Sequence, residues 1–304
     1  MFLLALTYKA QHASRTPSTV MFDWSLLSCL KMSGSSEIIF PPPKYQEYVF
    51  GDWTIKAVKS HIMGSTCESP EKCETTTELE QLCDLCRFER GLTLPSLPDM
   101  VFANNLLQIT HSSGGSVSFS CLDALKCVND REDTLQVAHA EAWREARADC
   151  EYTKKVVKPY DWTYTTNFRG TVSEGLKIEE TDERIDLQKL KMPEDIVFYD
   201  EIYLYEDELD DNGSTRCVVK VRVMPSGFFA VFRHYLRVDH VIVRVNDTRL
   251  YSPAGASYII RETSLRESLI EKLKVPPHVY KNPDQAWQHL PVIKESVEKL
   301  IAVE

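Results

Sequence analysis

The chain has 304 residues, 43% hydrophobic and 26% charged, a composition typical of a globular protein with one large domain or two smaller ones. Its formal net charge of −10 argues against a nucleic-acid partner, because binding to phosphates requires a basic surface. No stretch approaches the roughly 18 apolar residues of a membrane-spanning helix, so no membrane partner is expected.

The first 45 residues differ from the rest of the chain. They are mixed in composition, rich in serine and proline, and end in three consecutive prolines at 41–43. Such a segment is typical of a flexible extension, so we predict one over residues 1–45. Ordered structure is predicted to begin at Tyr48–Ile55, and residues 46–304 are assigned to a single globular domain.

Residues 64–91 are predicted to form an irregular insertion that contains four cysteines. Leucines at 79, 82 and 85 lie three residues apart, which predicts a short helix that ends near Gly91. Cys83 and Cys86 have the spacing of a zinc-binding pair, and Cys67 and Cys73 lie upstream. The upstream pair is separated by five residues, which is not zinc-knuckle spacing. The alternative is a pair of surface thiols on a short helix.

A helix is predicted over residues 134–148, with Asp133 three residues before Gln136 at its start. It is followed by the aromatic segment 158–164. Tyr160 and Trp162 in this segment have the large contact area favoured at protein interfaces. The alternative, that they are core aromatics of an irregular segment, is the stronger interpretation, and one segment can serve both purposes.

The second half of the chain alternates apolar and polar residues in short runs. Strands are predicted over 196–209, 216–224, 228–238 and 241–246, with Tyr258–Arg261 as a fifth. Turns are expected at Asp211–Ser214, Pro225–Gly227 and Asp239–His240. Because short turns join consecutive strands, we predict an α+β fold with largely antiparallel sheets and surrounding helices.

Helices are predicted near the carboxyl end. Ser264 and Glu267 have the spacing of a capping box, and Leu265, Leu269 and Leu273 follow at intervals of four. A short helix is expected after Asn282, because proline at 283 suits a first helical position. Residues 293, 297 and 300 mark a last predicted helix.

The sequence contains none of the common catalytic or nucleotide-binding motifs. No two of the eleven glycines are separated by a single residue, which excludes G-x-G-x-x-G, and neither H-E-x-x-H nor G-x-S-x-G occurs. No histidine lies three to five residues from another. We therefore expect neither an enzyme nor a bound cofactor.

Nine cysteines, an odd number in a long chain without a convincing signal peptide, indicate free thiols in a reducing compartment. We expect a cytoplasmic protein.

Several segments taken together and in this order resemble the TIPRL (TOR signalling pathway regulator-like) family over about residues 48–301. The segments are Gly51–Met63, Leu94–Met100, Asp123–Asn129, Lys158–Thr166, Tyr205–Leu209, Val221–Ser226 and Asn246–Tyr251. Residues 1–45 have no counterpart in this resemblance, and the 64–91 segment is longer than the family pattern predicts.

The resemblance implies a mixed fold of β-sheets with surrounding helices and a non-catalytic function. Members bind catalytic subunits of type 2A and related serine/threonine phosphatases, and regulate their activity or assembly in TOR signalling. A cleft engages the phosphatase, including its flexible C-terminal tail. Carried over by motif, the partner-binding positions are Asp123, Ile185, Val245 and Asp247.

Arg249 is added as a partner-binding candidate, because Asn246–Arg249 follows a predicted strand and is expected at the end of a sheet. Ordinary turn chemistry explains the same residues equally well. The rival function is a metal-binding or redox-responsive protein that uses Cys67, Cys73, Cys83 and Cys86.

Overall fold

The computed structural model describes residues 42–128 and 161–303. In chain order its strands are β1 (Lys44–Phe50), β2 (Trp53–Lys59), β3 (Met100–Val101), β4 (Leu106–His111), β5 (Ser116–Ser120), β6 (Thr171–Val172), β7 (Leu176–Glu180), β8 (Phe198–Asp207), β9 (Gly213–Met224), β10 (Gly227–Val238), β11 (Ile242–Pro253), β12 (Tyr258–Leu269) and β13 (Val292–Ala302). The helices are α1 (Pro70–Thr75), α2 (Asp84–Gly91), α3 (Cys121–Lys126), α4 (Pro277–Tyr280) and α5 (Pro283–Ala286), and single 3₁₀ turns span Leu79–Gln81, Lys189–Lys191 and Ile270–Lys272.

The strands form two antiparallel sheets. The small sheet has the order β1-β2-β4-β5-β6, and the large sheet has the order β3-β8-β9-β10-β11-β12-β13-β7. Neighbours in the large sheet from β8 to β13 are also consecutive in the chain. Short connections join β8 to β12, whereas residues 270–291, which include α4 and α5, join β12 to β13. The predicted α+β class with antiparallel sheets is confirmed, although the described helices are short.

The main core lies between the inner faces of the two sheets. In β9, Val219, Val221 and Val223 alternate with more polar residues and are buried in this core. Phe119 of the small sheet stacks on Phe232 of the large sheet, with 5.4 Å between ring centroids. Each such large apolar side chain contributes about 1.5–3 kcal/mol when it is fully buried. The two sheets are therefore held face to face by apolar packing.

The outer face of the large sheet carries two smaller apolar clusters. Ile185 and Leu190, in the segment before β8, pack with residues of β9, β11 and β12. Leu290, after α5, packs with Val243 and Val245 of β11. These two segments cover separate parts of the outer face, and an open cleft lies beside them.

The predicted hairpins of the large sheet are confirmed. Strands β9 and β10 are joined by Pro225 and Ser226, and β10 and β11 by a turn that ends at Val241. The loop between β8 and β9 is longer than a two-residue Asn-Gly turn, and Leu209, Asp210 and Asp211 have positive φ angles there. The short helix after Asn282 is also confirmed, because the Asn282 side chain accepts a hydrogen bond from the Asp284 backbone N–H.

Two predicted helices are wrong. Residues 264–269 belong to strand β12, and the 293–300 region belongs to strand β13. The leucine spacing of four is even, so it places side chains on one face of a strand as well as on one face of a helix. This segment pairs with β11 on one side and β13 on the other, and that pairing favours the strand over a helix. The helix predicted at 134–148 lies outside the described residues.

The short helix predicted from the leucines at 79, 82 and 85 is divided in two. Leu79–Gln81 forms a 3₁₀ turn, and α2 begins only at Asp84 and ends at the predicted Gly91. Cys83 precedes α2 directly and Cys86 lies in its first turn. Cys83 and Cys86 are partly exposed, and Cys67 and Cys73 lie beside them.

Candidate functional site

An open cleft of about 580 Å³ lies on the outer face of the large sheet. Its floor is formed by β9, β10 and β11, and its walls by the segment 187–196 and by Trp287 and Gln288. The lining contains four cationic and two acidic side chains, namely Lys191, Arg222, Arg233, Arg249, Glu194 and Asp284. Two apolar side chains of the wall, Met192 and Ile196, are 68% and 54% exposed. The cleft therefore offers both cationic donors and uncovered apolar surface.

A second cleft, of about 650 Å³, adjoins the same strands. It shares Val231, Arg233 and Asp284 with the first cleft. Arg233 donates to Asp284 at 3.0 Å, so one ion pair contributes to both clefts. The two concavities thus share one part of the sheet surface.

Asp247 is buried beneath the first cleft in an ion pair with two arginines. Arg233 approaches it through two nitrogens, at 2.7 and 2.8 Å, and Arg249 donates at 3.0 Å. Asp247 and Arg233 are direct partners in the β10–β11 register, and Arg249 lies two residues further along β11 on the same face. Burial opposes ionisation, but Arg233 and then Arg249 outweigh it and hold the pKa of the Asp247 carboxyl below its usual range.

Three arginines surround the ring of Trp287. The guanidinium carbons of Arg249, Arg266 and Arg233 lie 4.4, 5.3 and 5.9 Å from the ring centroid. Burial, together with the positive charge of Arg249, lowers the pKa of Arg266. Each cation–π contact contributes about 0.5–2 kcal/mol. The Trp287 ring therefore stabilises three arginines of like charge close together at the cleft wall. Arginine forks of this kind are suited to carboxylate or phosphate acceptors.

The structure brings four predicted residues to one face of the large sheet. Val245, Asp247 and Arg249 alternate along the outer face of β11. Ile185 packs in the cluster that contains Tyr251 of the same strand, and its backbone N–H donates to the Glu262 carboxylate at 2.8 Å. Glu262 pairs in register with Arg249.

One detail of the prediction for these residues is wrong. Asn246–Arg249 lies in the middle of β11 and not at the end of a sheet, because that strand continues to Pro253. Asp247 and Val245 are 1% and 0% exposed, so neither is an open surface position. Asp247 is satisfied by two arginines, which removes the need for a turn to cap it.

The remaining predicted residues lie elsewhere. Asp123 is in the first turn of α3, where Ser120 caps the helix by accepting from the Asp123 backbone N–H at 3.2 Å. Its carboxylate accepts from Thr171 of the small sheet at 3.0 Å. Trp162 is partly buried against the main core, as the core interpretation predicted. Tyr160 lies outside the described residues.

Sequence reasoning missed Arg233 and Trp287. Counting outward from the predicted two-residue turn at Asp239–His240 brings position 233 opposite 246, one residue short of Asp247. The turn in the structure has three residues, 239–241, and this extra residue brings Arg233 opposite Asp247. Trp287 had no comparable signal, because its position depends on how the segment after α5 packs on the sheet. Among the residues that the structure describes, no helix combines the length and apolar character required to span a membrane.

Fold and cleft together define a two-sheet α+β protein with a cationic, partly apolar surface cleft. The chain belongs to the TIP41-like family, whose model matches residues 100–274. It is 44% identical over 261 residues to the TIP41-like protein of Homo sapiens, which covers 84% of this chain and 90% of the relative. It is 32% identical over 275 residues to the type 2A phosphatase activator TIP41 of Saccharomyces cerevisiae. The match covers 81% of this chain and 72% of that relative. A Schizosaccharomyces pombe relative, also named a type 2A phosphatase activator, is 31% identical over 232 residues, with coverage of 76% and 85%.

Proposed function

We propose that this chain is a non-catalytic, cytoplasmic regulator that binds the catalytic subunit of type 2A and related serine/threonine phosphatases in TOR signalling. Family membership supports the proposal, as do the two fungal relatives whose names describe phosphatase activators. These comparisons favour phosphatase regulation over the metal-dependent or redox-responsive function that the cysteines suggested.

The observation that carries the proposal is the cleft on the outer face of the large sheet. An extended segment of the phosphatase, such as its C-terminal tail, would place apolar side chains against Met192 and Ile196 and a carboxylate near the arginines. Charge-assisted hydrogen bonds of this type contribute about 1.5–3 kcal/mol each. Within this proposal, Arg249 lines the floor and the buried Asp247 holds Arg249 in place through their hydrogen bond. Ile185 and Val245 pack in the apolar clusters of the same outer face and form no exposed contact surface.

Asp123, beside the small sheet, and Trp162, against the main core, belong to a second proposed contact region. Tyr160 is proposed as a contact residue from the sequence alone, since it lies outside the described residues. The Asp123 side chain is 32% exposed, and Lys126 lies 3.5 Å from its carboxylate. An aspartate in the first turn of a helix that remains partly exposed retains acceptor capacity for a donor on a partner. Contact at both regions would mean that the phosphatase spans more than the cleft.

The test is a binding isotherm between the purified chain and a purified type 2A catalytic subunit. We expect Met192→Asp to weaken binding tenfold or more, since an aspartate in the apolar wall costs at least about 1.4 kcal/mol of affinity. Val49→Asp is the matched control, because Val49 is 64% exposed on β1 of the small sheet. A surface change outside the interface alters the free energy by about 0.5 kcal/mol or less, so the control should stay within about twofold.

Equal binding by the two variants would show that the cleft is not the contact surface. Absence of binding by the unmodified chain would remove the proposed function itself. The chain alone should leave a generic phosphoester substrate unhydrolysed, and turnover that survives repeated purification would contradict the non-catalytic part of the proposal.

A further inference from the structure

Four cysteine side chains converge in the segment 64–91, well separated in sequence from the strands that form the cleft. The Sγ atoms of Cys67, Cys73, Cys83 and Cys86 all lie within 4.8 Å of one another. The Sγ of Cys67 is 3.6 Å from that of Cys83 and 3.6 Å from that of Cys86. Residues 19 positions apart therefore meet at a single point.

The two 3.6 Å separations match the edges of a metal–thiolate tetrahedron, and the upper limit of 4.8 Å for the other pairs leaves room for the same geometry. Zinc binds thiolates at about 2.3 Å, which puts the sulfurs of a tetrahedral site about 3.8 Å apart. A disulfide requires about 2.05 Å between sulfurs, well below the distances found. All four cysteines are free thiols in the structure. Four mutually adjacent sulfurs form a complete zinc ligand set, whereas disulfide formation would use them only in pairs.

The backbone supports the same arrangement. The backbone N–H of Cys83 points at the Sγ of Cys73, with 3.4 Å between the two atoms. Hydrogen bonds from backbone N–H groups to ligating sulfurs orient the ligands and stabilise the thiolate form. Arg90 of α2 donates to the carbonyl oxygens of Cys73 and Thr76, at 2.7 and 3.0 Å, so α2 is attached to the end of α1 independently of the sulfurs.

The segment has little apolar packing of its own. Its buried residues are Cys73, Leu82 and Phe88, and of these Phe88 packs into the main core between the sheets. A stretch this short, with so few buried side chains, does not gain enough from the hydrophobic effect to fix its conformation. A structural metal supplies that stabilisation in small metal-binding modules.

We propose that Cys67, Cys73, Cys83 and Cys86 bind one structural zinc ion that joins α1 to the start of α2. Four protein ligands close the tetrahedron and leave no position for water or substrate, so the site is structural and not catalytic. The proposal is independent of phosphatase binding. The zinc site would be an addition to the regulatory domain and would not replace the function proposed for the cleft.

The first experiment measures zinc in the purified full chain by inductively coupled plasma mass spectrometry after dialysis against metal-free buffer. We expect one zinc per chain, near-complete loss of zinc in Cys83→Ser and no change in Cys127→Ser. Cys127 is the matched control, since it is a partly exposed cysteine outside the cluster. Trace zinc in the unmodified chain, or full zinc in Cys83→Ser, would overturn the proposal.

The second experiment identifies the ligands without relying on a variant that has lost one. Cobalt(II) exchanged into the unmodified chain should give the intense visible bands of a tetrahedral site and a sulfur-to-cobalt charge-transfer band. Cys86→His preserves a ligand, so we expect it to retain cobalt with a shifted spectrum. An octahedral cobalt spectrum would overturn the proposal, as would disulfides among these cysteines in the freshly purified chain.

Discussion

At the scale of single residues, Asp247 illustrates how burial changes the meaning of a charged side chain. It is 1% exposed and neutralised by Arg233 and Arg249. Removing one partner from a buried ion pair leaves uncompensated charge, which costs about 3–5 kcal/mol. We therefore expect a substitution here to affect folding before it affects any contact with a partner.

We predict that Asp247→Asn lowers the free energy of unfolding by about 3–5 kcal/mol at neutral pH, because two buried arginines lose their carboxylate. Urea denaturation followed by circular dichroism measures the change. Glu179→Gln is the control, since Glu179 pairs with Lys177 at 2.7 Å on an exposed surface. That change should shift stability by less than about 1 kcal/mol. An Asp247→Asn variant as stable as the control, but defective in phosphatase binding, would instead identify Asp247 as a contact residue.

The same ion pair has a defined pH dependence. The folded-state pKa of Asp247 lies below its unfolded value, which is about 3.9 for an aspartate. Its contribution is therefore fully present above the unfolded pKa and is lost as the pH falls through the lower folded pKa. The stability difference between the unmodified chain and Asp247→Asn should be constant from neutral pH down to about pH 5, and should shrink in stronger acid.

At the scale of elements, the β9–β10 hairpin depends on one close approach of backbones. Gly213 begins β9 and pairs with Val238 at the end of β10. A Cβ atom at position 213 would overlap the backbone carbonyl oxygen of Arg237 and lie 3.1 Å from the Cα of Val238. Only glycine fits this strand end without a shift of the backbone.

We predict that Gly213→Ala destabilises the fold by about 1–3 kcal/mol, which is the usual cost of forcing extra atoms into a filled site. Thermal unfolding of Gly213→Ala and Gly64→Ala provides a matched comparison. Gly64 has no atom within 4 Å of an added Cβ and no positive φ angle, so its replacement should be neutral or slightly stabilising. Equal melting temperatures for the two variants would show that the strand end adjusts freely.

At the scale of the whole molecule, the first strand marks where the packed structure of the described residues begins. Tyr48 of β1 stacks on Phe198, with 5.7 Å between ring centroids, and Phe50 contacts Phe228 edge-on at 6.1 Å. Both contacts join β1 of the small sheet to the large sheet. Residues 42 and 43 precede β1, and the predicted 1–45 extension stays a prediction because residues 1–41 lie outside the described part of the chain.

We predict that a chain shortened to residues 42–304 keeps the melting temperature and phosphatase affinity of the full chain, as expected if the first residues form a separate extension. A chain that starts at residue 52 is the control. It lacks β1 and both aromatic contacts, so it should melt at a lower temperature. Loss of stability in the 42–304 chain would show that the amino-terminal residues are part of the fold.

Local sequence pattern was sufficient to predict the strands at the centre of the large sheet. Alternating valines in β9, the Pro225–Gly227 turn and the Asp239–His240 turn predicted three successive strands, and the structure contains them. These signals are local, because a strand's exposed and buried faces and a short turn's geometry are both encoded within a few residues. The family resemblance was likewise recognisable from short sequence segments and their order.

Local sequence pattern was not sufficient where a helix and a strand both satisfy the same spacing of apolar residues. The leucines at 265 and 269 fit a helix and a strand equally, and a capping-box spacing at Ser264 favoured the helix. Only pairing with β11 and β13 satisfies the backbone of β12 on both sides. Intrinsic helix preference is worth tenths of a kcal/mol per residue, and a ladder of hydrogen bonds with buried side chains outweighs it.

By itself, the sequence determined the class of fold, the central hairpins and the family. The tertiary structure alone decided that Asp247 is buried between two arginines, that Trp287 lies over them, and that four cysteines meet at one point. Each of these depends on groups brought together from distant parts of the chain. The chemistry of these groups depends on how close they lie in space and on how deeply they are buried. Both are set by the packing of the two sheets and of the segments that cover them.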